Sequence, residues 1–141
     1  MLLYLVFLVN VASMCSNDDD SSSSVNQTTV VNTVSSGTWR ITLYNDSGTI
    51  KTNQFTGYNF TFGPSNVLTA TNGTQTYTGV WSVTDSNSDD DSMDDLDFNI
   101  AFTAPANFLE LTDDWDIQSR TDTKIELIDI SGGNGGTDYL T

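Results

Sequence analysis

The chain has 141 residues, and its 19 acidic residues against 4 basic ones give a formal net charge of -15. This charge argues against nucleic acid as a partner, because nucleic-acid binding requires clustered Lys and Arg to replace the counterions of the phosphates. The chain has one cysteine and no histidine, which excludes an internal disulfide, the usual general base and the Ser-His and Cys-His catalytic pairs. The composition favours a soluble, non-catalytic domain without a cofactor.

The N-terminal residues carry a targeting signal. Residues 2–9 form an apolar run, which is far shorter than the roughly 20 residues that span a bilayer but long enough for a secretory signal. The run predicts a lipoprotein-type signal peptide over residues 1–14. Ala12-Ser13-Met14-Cys15 resembles a bacterial lipobox, and this resemblance implies that Cys15 carries lipid and becomes the first mature residue.

The residues after Cys15 indicate where the protein works. The sequence Cys-Ser-Asn-Asp-Asp-Asp resembles the start of lipoproteins of Bacteroidetes-type bacteria, in which these acids accompany export to the cell surface. We therefore expect an outer-membrane or cell-surface protein whose partner is the membrane, through lipid at Cys15. In the alternative, a signal peptidase cuts nearby, Cys15 is incidental and the protein is secreted.

Residues 15–34 are predicted to be a flexible tether. They contain the acidic run Asp18–Asp20, the serine run Ser21–Ser24 and then a mixture of Asn, Gln, Thr and Val without large apolar residues. Such a segment buries too little surface to offset its ordering entropy. We expect it to hold the following domain off the membrane.

Residues 35–141 form one domain that is predicted to be almost entirely β. Apolar and polar side chains alternate along its segments, as in strands with one face turned to a core. We expect an antiparallel up-and-down meander of about eight strands that closes into a β-barrel, with the last strand continuing beyond residue 141. The predicted strands are Trp39–Tyr44, Tyr58–Phe62, Leu68–Thr71, Thr74–Thr84, Leu96–Phe102, Trp115–Ile117, Ile125–Leu127 and Thr137–Thr141.

Turn signals separate these strands. They are Asp46-Ser47-Gly48, Gly63-Pro64-Ser65-Asn66 and Asn72-Gly73. Asn72-Gly73 is the strongest hairpin signal, because both residues tolerate positive φ.

One segment, Pro105–Leu111, does not show the alternation of a strand. Proline suits the first turn of a helix, and Phe108 and Leu111 are three residues apart. The segment predicts a single helical turn that plugs or crosses one end of the barrel.

Several of these motifs together resemble the small bacterial lipocalin-like lipoproteins. They are Gly37-Thr38-Trp39, the repeat from Phe60-Thr61-Phe62 to Leu68-Thr69-Ala70, Tyr77-Thr78-Gly79-Val80-Trp81 and Leu111-Thr112-Asp113-Asp114-Trp115. The resemblance covers the domain and implies a lipocalin-like barrel.

The resemblance also implies a tryptophan and arginine pair at the closed end of the barrel. Trp39 would pack there with a late-strand arginine over its ring, for which Arg120 is the candidate and Arg40 the alternative. The simpler interpretation is that Trp39, Trp81 and Trp115 only fill the core.

Two functions follow from how the barrel is filled. In the first, a non-catalytic barrel holds a small hydrophobic ligand against the predicted interior residues Tyr58, Phe60, Phe62, Trp81 and Phe98. In the second, these side chains fill the barrel, and the protein is a structural or interaction protein of the cell surface. A ligand carrier should enclose an apolar pocket of a few hundred Å³.

The acidic residues are expected to form neither an active site nor a specific metal site. Glu110, Asp113, Asp114 and Asp116 are candidates to line a barrel mouth, but a solvated acidic loop is the better interpretation, and we expect no catalytic residues. In the loop 85–95, Asp85, Asn87 and Asp89 match the first ligand spacing of a calcium loop. Asp90 and Leu96 then stand where a glycine and a bidentate acid are needed. We therefore expect no specific metal site.

Overall fold

Nine strands, two α-helices and two short 3₁₀ turns make up the part of the chain that the computed structural model describes, residues 22–85, 96–130 and 136–141. The helices are α1 (Ser22–Val34) and α2 (Ala106–Leu109), and the 3₁₀ turns are Thr52–Phe55 and Pro64–Asn66. The strands are β1 (Tyr44–Asp46), β2 (Thr49–Ile50), β3 (Asn59–Phe62), β4 (Val67–Thr71), β5 (Thr76–Asp85), β6 (Leu96–Ala101), β7 (Asp113–Arg120), β8 (Ile125–Ile130) and β9 (Thr137–Leu140).

The strands form one antiparallel sheet in the order β2-β1-β9-β8-β7-β6-β5-β4-β3. From β3 to β9, each strand pairs with its neighbours along the chain, which confirms the predicted all-β antiparallel meander. β1 pairs with the last strand, β9. The terminal strands β2 and β3 do not pair with each other in the described sheet, so the ladder is not a complete ring. One isolated bridge joins Trp39 to Phe60 of β3.

The first predicted strand, Trp39–Tyr44, is wrong in its bounds, because β1 begins only at Tyr44. The preceding segment changes partner along its length. Trp39 exchanges two backbone hydrogen bonds with Phe60, of 2.8 and 2.7 Å, whereas the N–H groups of Thr42 and Leu43 donate to the carbonyl of Thr141. A segment that crosses from one strand to another forms no long ladder with either.

One face of the sheet carries the core, as the alternation predicts. β6 alternates between buried and half-buried residues along its whole length, and β7 does so around Trp115 and Ile117. No polar or charged residue of the described part of the chain is buried. The core therefore rests on apolar packing, in agreement with the composition.

The predicted turns are confirmed. Ser47 and Gly48, both with positive φ (49° and 96°), connect β1 to β2, as two-residue hairpins require. At the β4–β5 hairpin, the side-chain oxygen of Asn72 accepts the N–H groups of Thr74 and Gln75 at 2.9 and 2.7 Å. The β4–β5 loop therefore extends to Gln75, and β5 begins two residues later than predicted.

The two helices lie at opposite ends of the sheet. The α2 end contains α2, the β1–β2 hairpin and the β4–β5 loop; the α1 end contains α1, the β3–β4 turn and the β7–β8 turn. α2 confirms the predicted helical turn, and both Phe108 and Leu111 are buried.

Helix α1 contradicts part of the predicted tether. Residues 22–34 are helical, and Val30 and Val34 are completely buried in the core. Valines four residues apart lie on one face of a helix, and Val31 beside them also packs against the core. So short an apolar stripe does not distinguish a helix from a polar tether by pattern. The folded part of the described chain therefore includes Ser22–Val34 and does not begin at residue 35.

Candidate functional site

The inner face of the sheet borders a small apolar cavity that is partly open to solvent. Its volume is about 70 Å³. Ligand pockets usually measure about 300–1,000 Å³, and a cavity that accepts benzene measures about 150 Å³. The cavity is therefore too small for the ligand of a carrier protein. Its lining residues are Trp39, Arg40, Ile41, Phe60, Phe62, Leu68, Phe98, Ile100, Leu111, Ile125, Leu127, Leu140 and Thr141.

The five residues predicted to line a ligand site are all buried: Tyr58, Phe60, Phe62, Trp81 and Phe98. They pack mainly against one another and against other rings. The ring of Phe62 contacts Trp81 and Phe98 edge-on, with centroid distances of 5.4 Å in both pairs. Only Phe60, Phe62 and Phe98 border the cavity. The side chains face inward as predicted, but they fill the interior.

Phe108 fills the α2 end. It is fully buried and packs against five aromatic rings. The 3₁₀ turn Thr52–Phe55 contributes one of them, which the strand pattern did not indicate. The five rings are Tyr77, Tyr58, Phe55, Phe102 and Phe60, at centroid distances of 4.9, 5.0, 5.2, 5.2 and 6.0 Å.

Trp39 and Arg120, which were predicted to pair, both form a hydrogen bond to the last turn of α1. Trp39 Nε1 donates to the Val34 carbonyl at 2.9 Å, and Arg120 Nη1 donates to Thr33 Oγ1 at 3.2 Å. The alternative arginine, Arg40, is exposed and donates to Asn59 Oδ1 at 3.0 Å. Trp39 and Arg120 are thus each bonded to α1 in the described part of the chain.

The acidic residues that follow α2 do not share one face of the sheet. Asp114 and Asp116 alternate with buried Trp115 and lie on the outer face, whereas Asp113 lies on the inner face. There its carboxylate lies within 4.8 Å of the carboxylates of Asp129 and Asp138.

This acidic triad, Asp113, Asp129 and Asp138, was not expected, because its members come from three different strands. Partial burial, together with the Asp129 carboxylate, raises the pKa of Asp113 above its usual value. Asp138 accepts hydrogen bonds from the N–H and hydroxyl of Ser47, at 2.8 and 3.1 Å. Exposed acidic groups commonly meet in this way without an ion, so the triad by itself does not define a metal site.

A second polar network ties β1 to the segment after α2. The Tyr44 hydroxyl donates to the Glu110 carbonyl at 2.9 Å. Lys51 forms ion pairs with Asp46 and Glu110, at 2.6 and 3.0 Å. Burial, with smaller contributions from the nearby acids, raises the pKa of Tyr44 to about 12. The hydrogen bonds to Asp46 and Glu110 raise the pKa of Lys51, so both groups stay protonated at neutral pH.

Two predicted sites lie outside the described residues: Cys15, and residues 86–95 of the acidic loop. No helix in the described ranges is long and apolar enough to cross a bilayer. Comparisons of the chain with known protein families, with curated proteins and with solved structures found no significant match. The function is therefore argued from the residues and their geometry.

Proposed function

We propose that the protein is a lipid-anchored cell-envelope protein with a non-catalytic, lipocalin-like barrel whose interior is packed, and that it acts through its surface as a structural or interaction module. The small cavity of about 70 Å³ supports this proposal over a ligand carrier. The aromatic side chains that would line a ligand site in a carrier instead contact one another.

The barrel in this proposal has one interrupted seam. β2 and β3, the terminal strands of the sheet, are the two halves of one chain segment, residues 49–62. Both halves meet the segment that contains β1. Lys51 N–H donates to the Tyr44 carbonyl at 2.8 Å, and Trp39 bonds to Phe60. Between them, the turn Thr52–Phe55 interrupts the pairing and carries a buried Phe55. A ring of eight strands with this seam fits the observed pairing.

The proposal is non-catalytic because the chain offers few side chains that could act as a general base or a nucleophile. The sequence has no histidine, and its one thiol is Cys15. Tyr44 and Lys51 keep their protons at neutral pH, for the reasons given above. The Asp113 and Asp129 carboxylates lie against each other in one cluster and not across a cleft, where a pair of catalytic carboxylates would stand.

The anchor in this proposal holds the barrel close to the membrane. Ser22, where α1 begins, follows Cys15 by seven positions, so the intervening chain spans at most about 25 Å. The anchored part of the chain leads directly into α1. The α1 end of the sheet, on which this helix packs, therefore faces the membrane. The α2 end, with Asp46, Glu110 and the acidic triad, faces away and is the surface open to partners.

Native mass spectrometry of the full-length protein from its own host tests the proposal. We expect an acyl mass that is lost in the Cys15→Ser variant, and no stoichiometric non-covalent ligand on the wild-type protein. A bound apolar molecule at one per chain would show that the protein is a carrier. An unmodified Cys15 in the purified protein would instead overturn the lipid anchor and leave a secreted protein.

A further inference from the structure

Helix α1 is held in place by the sheet more than by its own helix propensity. Apart from Gln27, it consists of Ser, Thr, Asn and Val, which are weaker helix formers than Ala, Leu or Glu. It has no acidic residue in its first turn and no basic residue in its last turn to offset the helix dipole. Isolated helices of this length and composition are not stable in water. Helix α1 is therefore expected to unfold when it leaves the sheet.

The described side-chain contacts of α1 with the rest of the domain come from its last two turns, Gln27 to Val34, where Val31 also packs against the core. Val30 and Val34 are fully buried. Gln27 Nε2 donates to the Val83 carbonyl of β5 at 2.6 Å, and the Trp39 indole donates to the Val34 carbonyl. Segments with few buried contacts open at lower free energy than the strands of a core.

A β-bulge turns Arg120 toward α1. The register between β7 and β8 shifts between Ile117 and Ser119, which re-aims the residues that follow. Arg120 then pairs with Ile125, which borders the cavity. Nη1 of Arg120 bonds to Thr33, but its Nε is buried and has no hydrogen-bond partner among the described residues.

The other cations of the described chain are differently placed. Lys51 and Lys124 form ion pairs with carboxylates, and Arg40 is exposed. Arg120 thus places an unsatisfied N–H donor of a cation opposite the apolar Ile125, in the part of the sheet that contacts α1 through Thr33. Such a place is complementary to a molecule with an apolar body and one acidic group.

We propose that α1 is a displaceable plug, and that an anionic amphiphile competes with it for the α1 end of the sheet. The apolar body of the amphiphile replaces Val30 and Val34, and its acidic group binds the guanidinium of Arg120. Because the site exists only when α1 has left, the apparent affinity is the intrinsic affinity reduced by the fraction of molecules with α1 undocked. Changes in α1 stability therefore change the affinity without any change in the site itself.

Two substitutions on α1 test this competition in opposite directions. Val34→Ala removes buried contacts and should tighten binding of the anionic dye 8-anilinonaphthalene-1-sulfonate by about tenfold, through a larger undocked fraction. Asn32→Ala lies on the exposed face and improves helix propensity, so it should weaken dye binding. Both are measured by fluorescence titration of the full chain carrying Cys15→Ser. If both variants bind the dye like the parent chain, the plug is refuted.

A third substitution tests the role of the charge. Arg120→Met should weaken binding of the anionic dye relative to the uncharged dye Nile red, because only the first needs a cation. An unchanged ratio of the two affinities overturns the assignment of Arg120.

Hydrogen exchange of the same proteins separates opening of α1 from unfolding of the domain. Amides of α1 should exchange at least about tenfold faster than those of β5 to β7. Val34→Ala should accelerate the exchange of the α1 amides and leave that of the strand amides unchanged. Equal protection in α1 and in these strands contradicts the plug. The inference rests neither on the lipid anchor nor on an open interior: the chain with α1 docked is packed as proposed above, and the amphiphile binds only those molecules in which α1 has left the sheet.

Discussion

Replacing Phe108 with Ala tests whether the interior is packed. Phe108 is fully buried, and its ring lies 4.9–6.0 Å from five other rings. Phe→Ala substitutions in cores cost about 3–5 kcal/mol, with the upper part of this range at sites that cannot collapse. Two of the five surrounding rings, Phe60 and Tyr77, lie on strands, and Tyr58 and Phe102 directly adjoin strand ends, so collapse around the site is restricted. We therefore expect a loss of about 4 kcal/mol in the free energy of unfolding, a large fraction of the stability of a small domain.

The measurement is urea unfolding followed by tryptophan fluorescence. Leu109→Ala is the matched control, because Leu109 lies on the same helical turn but is 50% exposed; it should cost no more than about 0.5 kcal/mol. Phe108→Leu keeps most of the apolar volume and should cost about 1–2 kcal/mol. A loss below about 1 kcal/mol for Phe108→Ala, with an unchanged m value, would show that the α2 end is loosely filled. The packed-interior argument would then fail.

Two further substitutions test other parts of the structure. Asp113→Asn should stabilise the protein by about 0.2–1 kcal/mol at pH 7, because it removes like-charge repulsion from Asp129 across the sheet. Because the pKa of Asp113 is raised in the folded state, the wild type loses stability as the pH rises from about 4. The stability gained by Asp113→Asn should therefore vanish below that pH. A gain in stability that persists at pH 3 contradicts this explanation. Gly79→Ala should cost about 1–3 kcal/mol, because a Cβ there would clash with the backbone carbonyl of Ala101 and lie 2.9 Å from the Phe102 ring. Thr78 is exposed, so Thr78→Ala should be nearly neutral in urea unfolding. Equal effects of the two substitutions would refute the close approach at Gly79.

The strand pattern and the turns were predictable from sequence because they depend on near neighbours. Alternation places Phe98 on the core face of β6, and Asn72-Gly73 makes a hairpin, whatever the rest of the chain does. The helical turn at Pro105–Leu111 follows from a proline and two apolar residues within seven positions. Each of these features is complete within one local segment.

The candidate site depended on contacts between distant segments. Asp113, Asp129 and Asp138 meet only because β7, β8 and β9 are adjacent. α1 was predicted as tether because its two buried valines become a stabilising stripe only when the sheet offers a surface for them. Arg120 was named from its order in the chain, but its inward direction depends on the bulge in β7.

The sequence by itself determined an acidic, almost all-β domain with an aromatic core, because composition and period-two alternation are properties of short segments. Only the tertiary structure decided that the aromatic rings leave about 70 Å³ and that α1 covers one end. A cavity volume is a small difference between the space that the strands enclose and the side chains that fill it, and it depends on the register of every strand at once.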